Sequence, residues 1–174
     1  TGYYVVLYLN RYRNDEPYTN IRHILILADT IDSTESDENG RPIPTQAAMD
    51  AAKAEAEALL EEWKAGEATA SSFGALANEH SDDPGSNANG GMYNHVTKGT
   101  MFEGFDSWIF DPARQTGDTG LVENPQSGQQ GWHVIYSNGI NDPDWKTDAR
   151  TAKENSDLTA WITELTDAVE AVPA

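Results

Sequence analysis

The sequence predicts an α+β domain, and three observations carry that expectation. Two runs rich in β-branched and aromatic residues, 21–27 and 131–136, read as strands near the two ends of a central stretch. Between them lie segments whose apolar residues recur at helical spacing, over 45–64, from about 71 to 77, and over 99–110. Clusters of Gly, Pro, Asn and Asp separate these pieces, most densely at 81–91.

Taken in chain order, residues 3–9 (Tyr-Tyr-Val-Val-Leu-Tyr-Leu) read as a first strand. They open directly after Thr1-Gly2 with no leader in front, which predicts a piece of a longer protein. The run 21–27 is continuous in apolar character except for Arg22 and His23, as expected of a buried strand. The acidic stretch 29–44, with Asp29, Asp32, Glu35, Asp37 and Glu38 before Asn39-Gly40, reads as a long surface loop. Its acidic residues lack the regular ligand spacing of a calcium loop. Thr45 is placed to cap a helix that runs to about Lys64 and stops at Gly66, with Met49, Ala52, Ala56, Leu59 or Leu60, and Trp63 on its core face. A second helix is expected to start near Ser71 or Ser72 and to bury Phe73, Leu76 and Ala77. A short strand over 92–96 and a helix over 99–110 follow, then a strand from Leu121-Val122 and a loop tip at 125–130. Beyond Pro143 the pattern Leu158, Trp161 or Ile162, Leu165 predicts a helix whose apolar stripe docks on the body or on a neighbouring region. The expected organisation is an N-terminal strand extension (1–19), a central domain (20–138) and a C-terminal helical extension (139–174).

The formal net charge is −18, from 29 acidic and 11 basic residues, so the surface repels phosphate backbones and anionic membranes. Nucleic acid is therefore excluded as a partner, and no apolar run approaches the length of a membrane span. The chain has no cysteine, which rules out disulfides, thiolate nucleophiles and cysteine-ligated zinc.

His23 and His133 interrupt otherwise apolar strands. A single strand histidine is more often a satisfied core group than a catalyst. Two of them, in the first and last strands of one α/β unit, can face each other if those strands are neighbours. They would then share a hydrogen bond, each fixing the other's tautomer. Asp83, just before Pro84, suits either a turn or a carboxylate that orients the pair, with Asp82 second for that role. No third and fourth ligand stands at zinc-binding spacing, so neither metal nor cofactor is expected. His80 and His95, in polar surroundings, read as surface residues.

The ordered set His23-Ile24-Leu25-Ile26, Phe73-Gly74-Ala75-Leu76-Ala77, Ser81-Asp82-Asp83-Pro84-Gly85-Ser86, Asn89-Gly90-Gly91, Gly99-Thr100-Met101 with Phe105, and Gly131-Trp132-His133-Val134-Ile135 resembles the parvulin family of peptidyl-prolyl cis/trans isomerases over about residues 20–138. It looks closest to the PrsA-like exported foldases of Gram-positive bacteria. The resemblance implies a twisted, mainly antiparallel four-stranded sheet surrounded by helices. It also implies isomerisation of X–Pro bonds in unfolded or exported polypeptides, and an extracellular or cell-surface location. By position it assigns His23, Asp83 and His133 to the catalytic centre, and Met92, Met101, Phe105 and Phe110 to substrate binding or the wall behind it. Gly90-Gly91-Met92-Tyr93 lacks the acidic residue of the family's usual Gly-Gly-Asp-Leu-Gly, and the loop 123–130 is longer than usual. The family's hydroxyl partner of the histidines has no clear counterpart, Ser127 being one candidate. These departures keep open a peptide-binding chaperone module with little isomerase activity. The acidic loop 29–44, with Arg41 its only base, predicts no preference for phosphorylated Ser–Pro or Thr–Pro.

Overall fold

A computed structural model describes residues 14–170, so the strand expected at 3–9 lies outside the described residues. Residues Tyr18–Asn141 form one compact unit. Its strands are β1 (Tyr18–Leu27), β2 (Glu35–Ser36), β3 (Pro42–Ile43), β4 (Met92–Thr97), β5 (Thr119–Asn124) and β6 (Gly131–Asn141). Its helices are α1 (Gln46–Ala65), α2 (Ala70–His80) and α3 (Glu103–Ile109). Four strands make one sheet in the order β4-β1-β6-β5, with every neighbouring pair antiparallel. The first and last strands of the central stretch, β1 and β6, are thus the inner pair.

The continuous apolar character of β1 follows from cover on both faces of the sheet. Ile24 and Ile26 pack on one side with Val134, Tyr136 and the inner faces of α1 and α2. Ile21 points the other way and joins Phe105, Ile109 and Ile135 under α3. A strand buried on both sides reads as an apolar run rather than an alternation. Each fully buried side chain of the size of Phe73 or Ile135 contributes about 1.5–3 kcal/mol relative to exposure.

The Thr45 hydroxyl accepts the Ala48 N–H at 3.2 Å and sets the start of α1; Ala52, Ala56, Leu59, Leu60 and Trp63 then recur on one buried face. Helix α2 begins slightly earlier than its apolar pattern suggests, because Thr69 and Ser72 form a reciprocal capping box ahead of Phe73. Helix α3 is shorter than the apolar pattern over 99–110. Both carboxylate oxygens of Asp106 accept the Gly99 N–H at 3.0 Å, which folds 99–102 into a turn that leads into the helix. The acidic loop carries a small hairpin of β2 and β3, shaped by Asp37, whose Oδ1 accepts the N–H groups of Asn39 and Arg41 at 2.8 Å. Strand β6 continues past Tyr136 to Asn141.

The turn cluster 81–91 lies directly against β1. Gly91 makes this possible: its φ is +66°, and a Cβ there would sit 2.1 Å from the His23 carbonyl oxygen. The His23 N–H in turn donates to the Gly91 carbonyl at 2.8 Å. The Asp82 carboxylate accepts the Leu27 N–H at 2.9 Å and tacks the same turn to the end of β1.

Helix α4 (Asp144–Glu170) belongs to a second unit. Leu158, Trp161, Ile162 and Leu165 recur along it at helical spacing, and all four are exposed. No helix among the described residues is long and apolar enough to cross a membrane.

Candidate active site

The register of the two inner strands brings the histidines together. His133 of β6 stands opposite Leu25 of β1, and Ile135 opposite His23, so the two imidazoles are diagonal neighbours on the face that α3 covers. Their Nδ1 atoms lie 3.0 Å apart, with His23 1 % and His133 6 % exposed. The turn 81–91 adds the carboxylate. Asp83 Oδ2 lies 3.0 Å from His23 Nε2 and accepts the Ser86 hydroxyl at 2.5 Å and the Tyr93 hydroxyl at 2.9 Å. The Gly85 N–H donates to its other oxygen at 3.1 Å.

Protonation follows from burial set against these bonds. Burial, aided by the charge that His23 would carry, pushes His133 down to about 3. Burial also lowers His23, and the pull of Asp83 in the other direction does not overcome it. For Asp83 burial works to raise the pKa, but the bonds from Ser86, the Gly85 N–H and Tyr93, with the His23 charge, outweigh it and leave the carboxyl below its usual range. Burial and the adjacent Asp83 raise Tyr93 to about 12. Near neutral pH the centre therefore holds one anion, Asp83, beside two neutral imidazoles and a protonated phenol.

These charges assign the tautomers. An ionised Asp83 only accepts, so His23 Nε2 carries the hydrogen, and His23 Nδ1 is bare. The bare Nδ1 accepts from His133 Nδ1–H. His133 Nε2 is left with a lone pair and no hydrogen-bond partner among the described residues. The relay therefore ends in an uncharged acceptor.

A cavity of about 130 Å³ opens over this relay. Leu25, Met101, Phe102 and Phe105 form its apolar walls; His23, Asp83, Tyr93, Asn124 and His133 supply polar groups; Thr100, Gln126 and Gln129 complete the lining. Phe105 is 1 % exposed and stands edge-on to the His133 ring at 5.0 Å, which fixes one wall against the relay. A larger groove of about 760 Å³ lies between the β2–β3 hairpin and residues 126–130; it shares Gln126 and Gln129 with the cavity but has no histidine in its lining.

The structure brings His23, Asp83, His133, Met101 and Phe105 to one cavity, and it places Met92 and Phe110 elsewhere. Met92 is opposite Arg22 and Tyr93 opposite Ile21, so strand alternation turns Met92 to the far face and Tyr93 toward the relay. Met92 Sδ lies 3.9 Å from Asn138 Nδ2. Phe110 packs in the apolar cluster around Phe105 and Ile109, off the cavity wall. Asp82 serves the backbone of β1 rather than a histidine. Ser127, the candidate hydroxyl, donates instead to Asp37 on the hairpin; the hydroxyl at the histidines is Ser86, whose Oγ lies 3.0 Å from His23 Nε2. Ser86, Tyr93, Phe102 and Asn124 were missed by sequence reasoning. For Ser86 the available signal was its spacing from Asp83 at the opening of a one-turn 3-10 segment; for Tyr93 it was the alternation of β4. His95 is exposed and stacks on Tyr18 at 4.2 Å, and His80 also lies apart from the cavity. Among the described residues no group of three or more His, Cys, Asp or Glu is arranged to hold a metal ion.

The PPIC-type PPIase domain of the rotamase family matches residues 23–139. The chain is 31 % identical over 131 residues to the chaperone SurA of Alcanivorax borkumensis, covering 75 % of this chain and 25 % of that protein. It is 32 % identical over 121 residues to the chaperone SurA of Pseudomonas putida, covering 64 % and 26 % respectively. The chain thus spans about a quarter of the length of the curated relatives it matches. Among solved structures, the PPIase domain of TbPar42 superposes with a TM-score of 0.50 at 23 % identity, over 68 % of this chain and 98 % of that one, a likeness of fold. With the match extending from the first relay histidine to just past the second, the chain belongs to the PPIC-type peptidyl-prolyl cis/trans isomerase family.

Proposed function

We propose that this chain catalyses cis/trans isomerisation of X–Pro bonds in unfolded or exported polypeptides, without metal, cofactor or covalent intermediate. One observation carries the reading: a cavity walled by Met101, Phe102 and Phe105 sits on a pair of neutral, mutually bonded histidines tied to Asp83. A planar peptide bond resists rotation by about 18–20 kcal/mol, while the X–Pro isomers themselves differ by only about 0.5–1 kcal/mol. The task is to lower a barrier rather than to drive an equilibrium. Apolar walls that hold the pyrrolidine ring and exclude water favour the twisted amide, which has lost its resonance. The relay contributes fixed, uncharged geometry beneath it. His23, Asp83 and His133 serve as the polar floor, and Met101 and Phe105, joined by Phe102, grip the ring.

The residues that flank the proline run, on this reading, along the larger groove beyond Gln126 and Gln129, which mixes polar and apolar side chains and lies beside the acidic hairpin. The bases near the centre are already engaged. Arg41 Nη1 donates to the Ser127 carbonyl at 3.1 Å. Arg22 Nη1 donates to the Gly90 carbonyl at 2.7 Å, from the sheet face opposite the histidines. A phosphorylated residue before the proline therefore meets acidic side chains without a guanidinium clamp. An exported or cell-surface setting is proposed from the likeness to exported foldases, the Gram-positive host being the narrower form of that proposal.

A binding module that holds proline-containing segments without turnover is the second reading, favoured by the chaperone name of the relatives that the chain resembles. An isomerisation assay on a short X–Pro peptide separates the two. Turnover supports the enzyme; saturable binding with no acceleration supports the module.

A further inference from the structure

Asn124 is the one buried polar side chain at the cavity that the relay leaves unused. It lies at the end of β5, 1 % exposed, and lines the cavity with His133 and Phe105. Its amide orientation is fixed by chemistry. The Gln126 backbone N–H meets the side chain at 3.0 Å, and an N–H can only donate, so the atom that faces it is Oδ1. Nδ2 is therefore turned away from that backbone, and it has no hydrogen-bond partner among the described residues. The side chain as a whole is buried, yet Nδ2 itself keeps accessible surface. Here the open side is the cavity.

Resting on the proposed isomerase reading, we infer that Asn124 is a catalytic residue whose Nδ2–H donates to the prolyl imide nitrogen as the X–Pro bond twists. The choice of acceptor follows from differential binding. In the planar ground state the nitrogen lone pair is delocalised into the carbonyl and accepts poorly, so a donor there gains little. On twisting, the nitrogen becomes pyramidal and basic, and the same donor gains a bond present only in the transition state. A donor to the carbonyl oxygen would instead favour the planar, resonance-stabilised form and slow rotation. The bare Nε2 of His133 lines the same cavity and cannot supply this hydrogen. Among the polar groups of the floor, Tyr93 and His23 already spend their hydrogens on Asp83.

The test compares wild type with Asn124→Asp and Asn124→Leu, reading kcat and KM separately by exchange NMR on an Ala–Pro peptide. Asn124→Asp keeps the acceptor for the Gln126 N–H and so keeps the turn. Near pH 7.5 its carboxylate has no hydrogen to donate. The expected result is a fall in kcat of about threefold to tenfold, the effect of one neutral hydrogen bond, with KM little changed. Toward about pH 4, near an ordinary aspartate's pKa, about half of the carboxyl population regains a hydrogen and kcat recovers in part, whereas Asn124→Leu stays slow at both values. The other titratable groups at the cavity are His133, His23, Asp83 and Tyr93, with Glu123 the chain neighbour; the wild-type profile over the same range controls for them. A second readout needs no variant: the Asn124 side-chain NH₂ resonances of the wild type should shift on saturation with peptide. Wild-type kcat in both folded variants, a loss confined to KM, or unmoved NH₂ resonances at saturation would each overturn the inference. A wild type that binds peptide but does not accelerate exchange would instead defeat the isomerase reading on which it rests.

Discussion

Replacing His133 with leucine removes one half of a buried hydrogen bond and leaves His23 Nδ1, in a side chain 1 % exposed, without a donor. An orphaned buried acceptor costs about 1–3 kcal/mol. Leucine is apolar and close to the lost ring in volume, which keeps the additional packing loss small. His23→Leu should cost more, because it strips Asp83 of one partner as well as His133 of its acceptor. Replacing both histidines removes the orphan that each single change creates, so the double variant should be less destabilised than the sum by about 0.5–3 kcal/mol. Urea unfolding at neutral pH, followed by tryptophan fluorescence with a constant slope across the four proteins, reads these differences directly. Strict additivity would refute the coupled pair, as would a His133→Leu protein within about 0.5 kcal/mol of wild type, the usual scatter for surface changes.

Further outcomes follow from the same geometry. His133 titrates at about 3 when folded against an ordinary value near 6.5, and His23 is also lowered, so the folded state binds fewer protons between those values. Stability should be complete above about pH 6.5 and fall as pH drops toward 3, with Asp83 adding in the same direction at the acid end; the His133→Leu profile should be flatter in urea midpoints across the range. Phe105→Ala empties one wall of the cavity and costs about 3–5 kcal/mol, while Phe105→Leu retains most of the volume and costs less; wild-type turnover in a folded Phe105→Ala protein would remove this residue from the site. Matched Ser–Pro and phosphoSer–Pro peptides should show slower catalysis on the phosphorylated one, most clearly at low salt; faster catalysis there would contradict the charge argument.

The apolar runs of β1 and β6, the caps of α1 and the histidines set within the strands were legible because they depend on residue type and short-range spacing. The His23–His133 contact was legible only as a condition, that the two strands be neighbours, which the sheet order β4-β1-β6-β5 meets. What was not legible depends on parity and on distant partners. Met92 and Tyr93 are consecutive, and only the register with Arg22 and Ile21 decides which of them reaches the relay. Ser86 and Asn124 sit in turns and strand ends where no periodicity marks a residue as facing inward. The β2–β3 hairpin has strands of two residues each, too short for alternation to register, and its shape comes from one aspartate bonding its own backbone. The apolar stripe of α4 was legible as a pattern, but a pattern does not say what covers it, and its four large side chains are exposed.

The central claim is that this cavity lowers the barrier to X–Pro rotation. Exchange NMR on an Ala–Pro peptide, with and without catalytic amounts of the protein, measures that most directly, since the spontaneous step takes about 10–100 s. Interconversion should accelerate in proportion to protein concentration, and Phe105→Ala should lose that acceleration. Peptide that binds in the cavity, yet exchanges at the spontaneous rate, would contradict the claim.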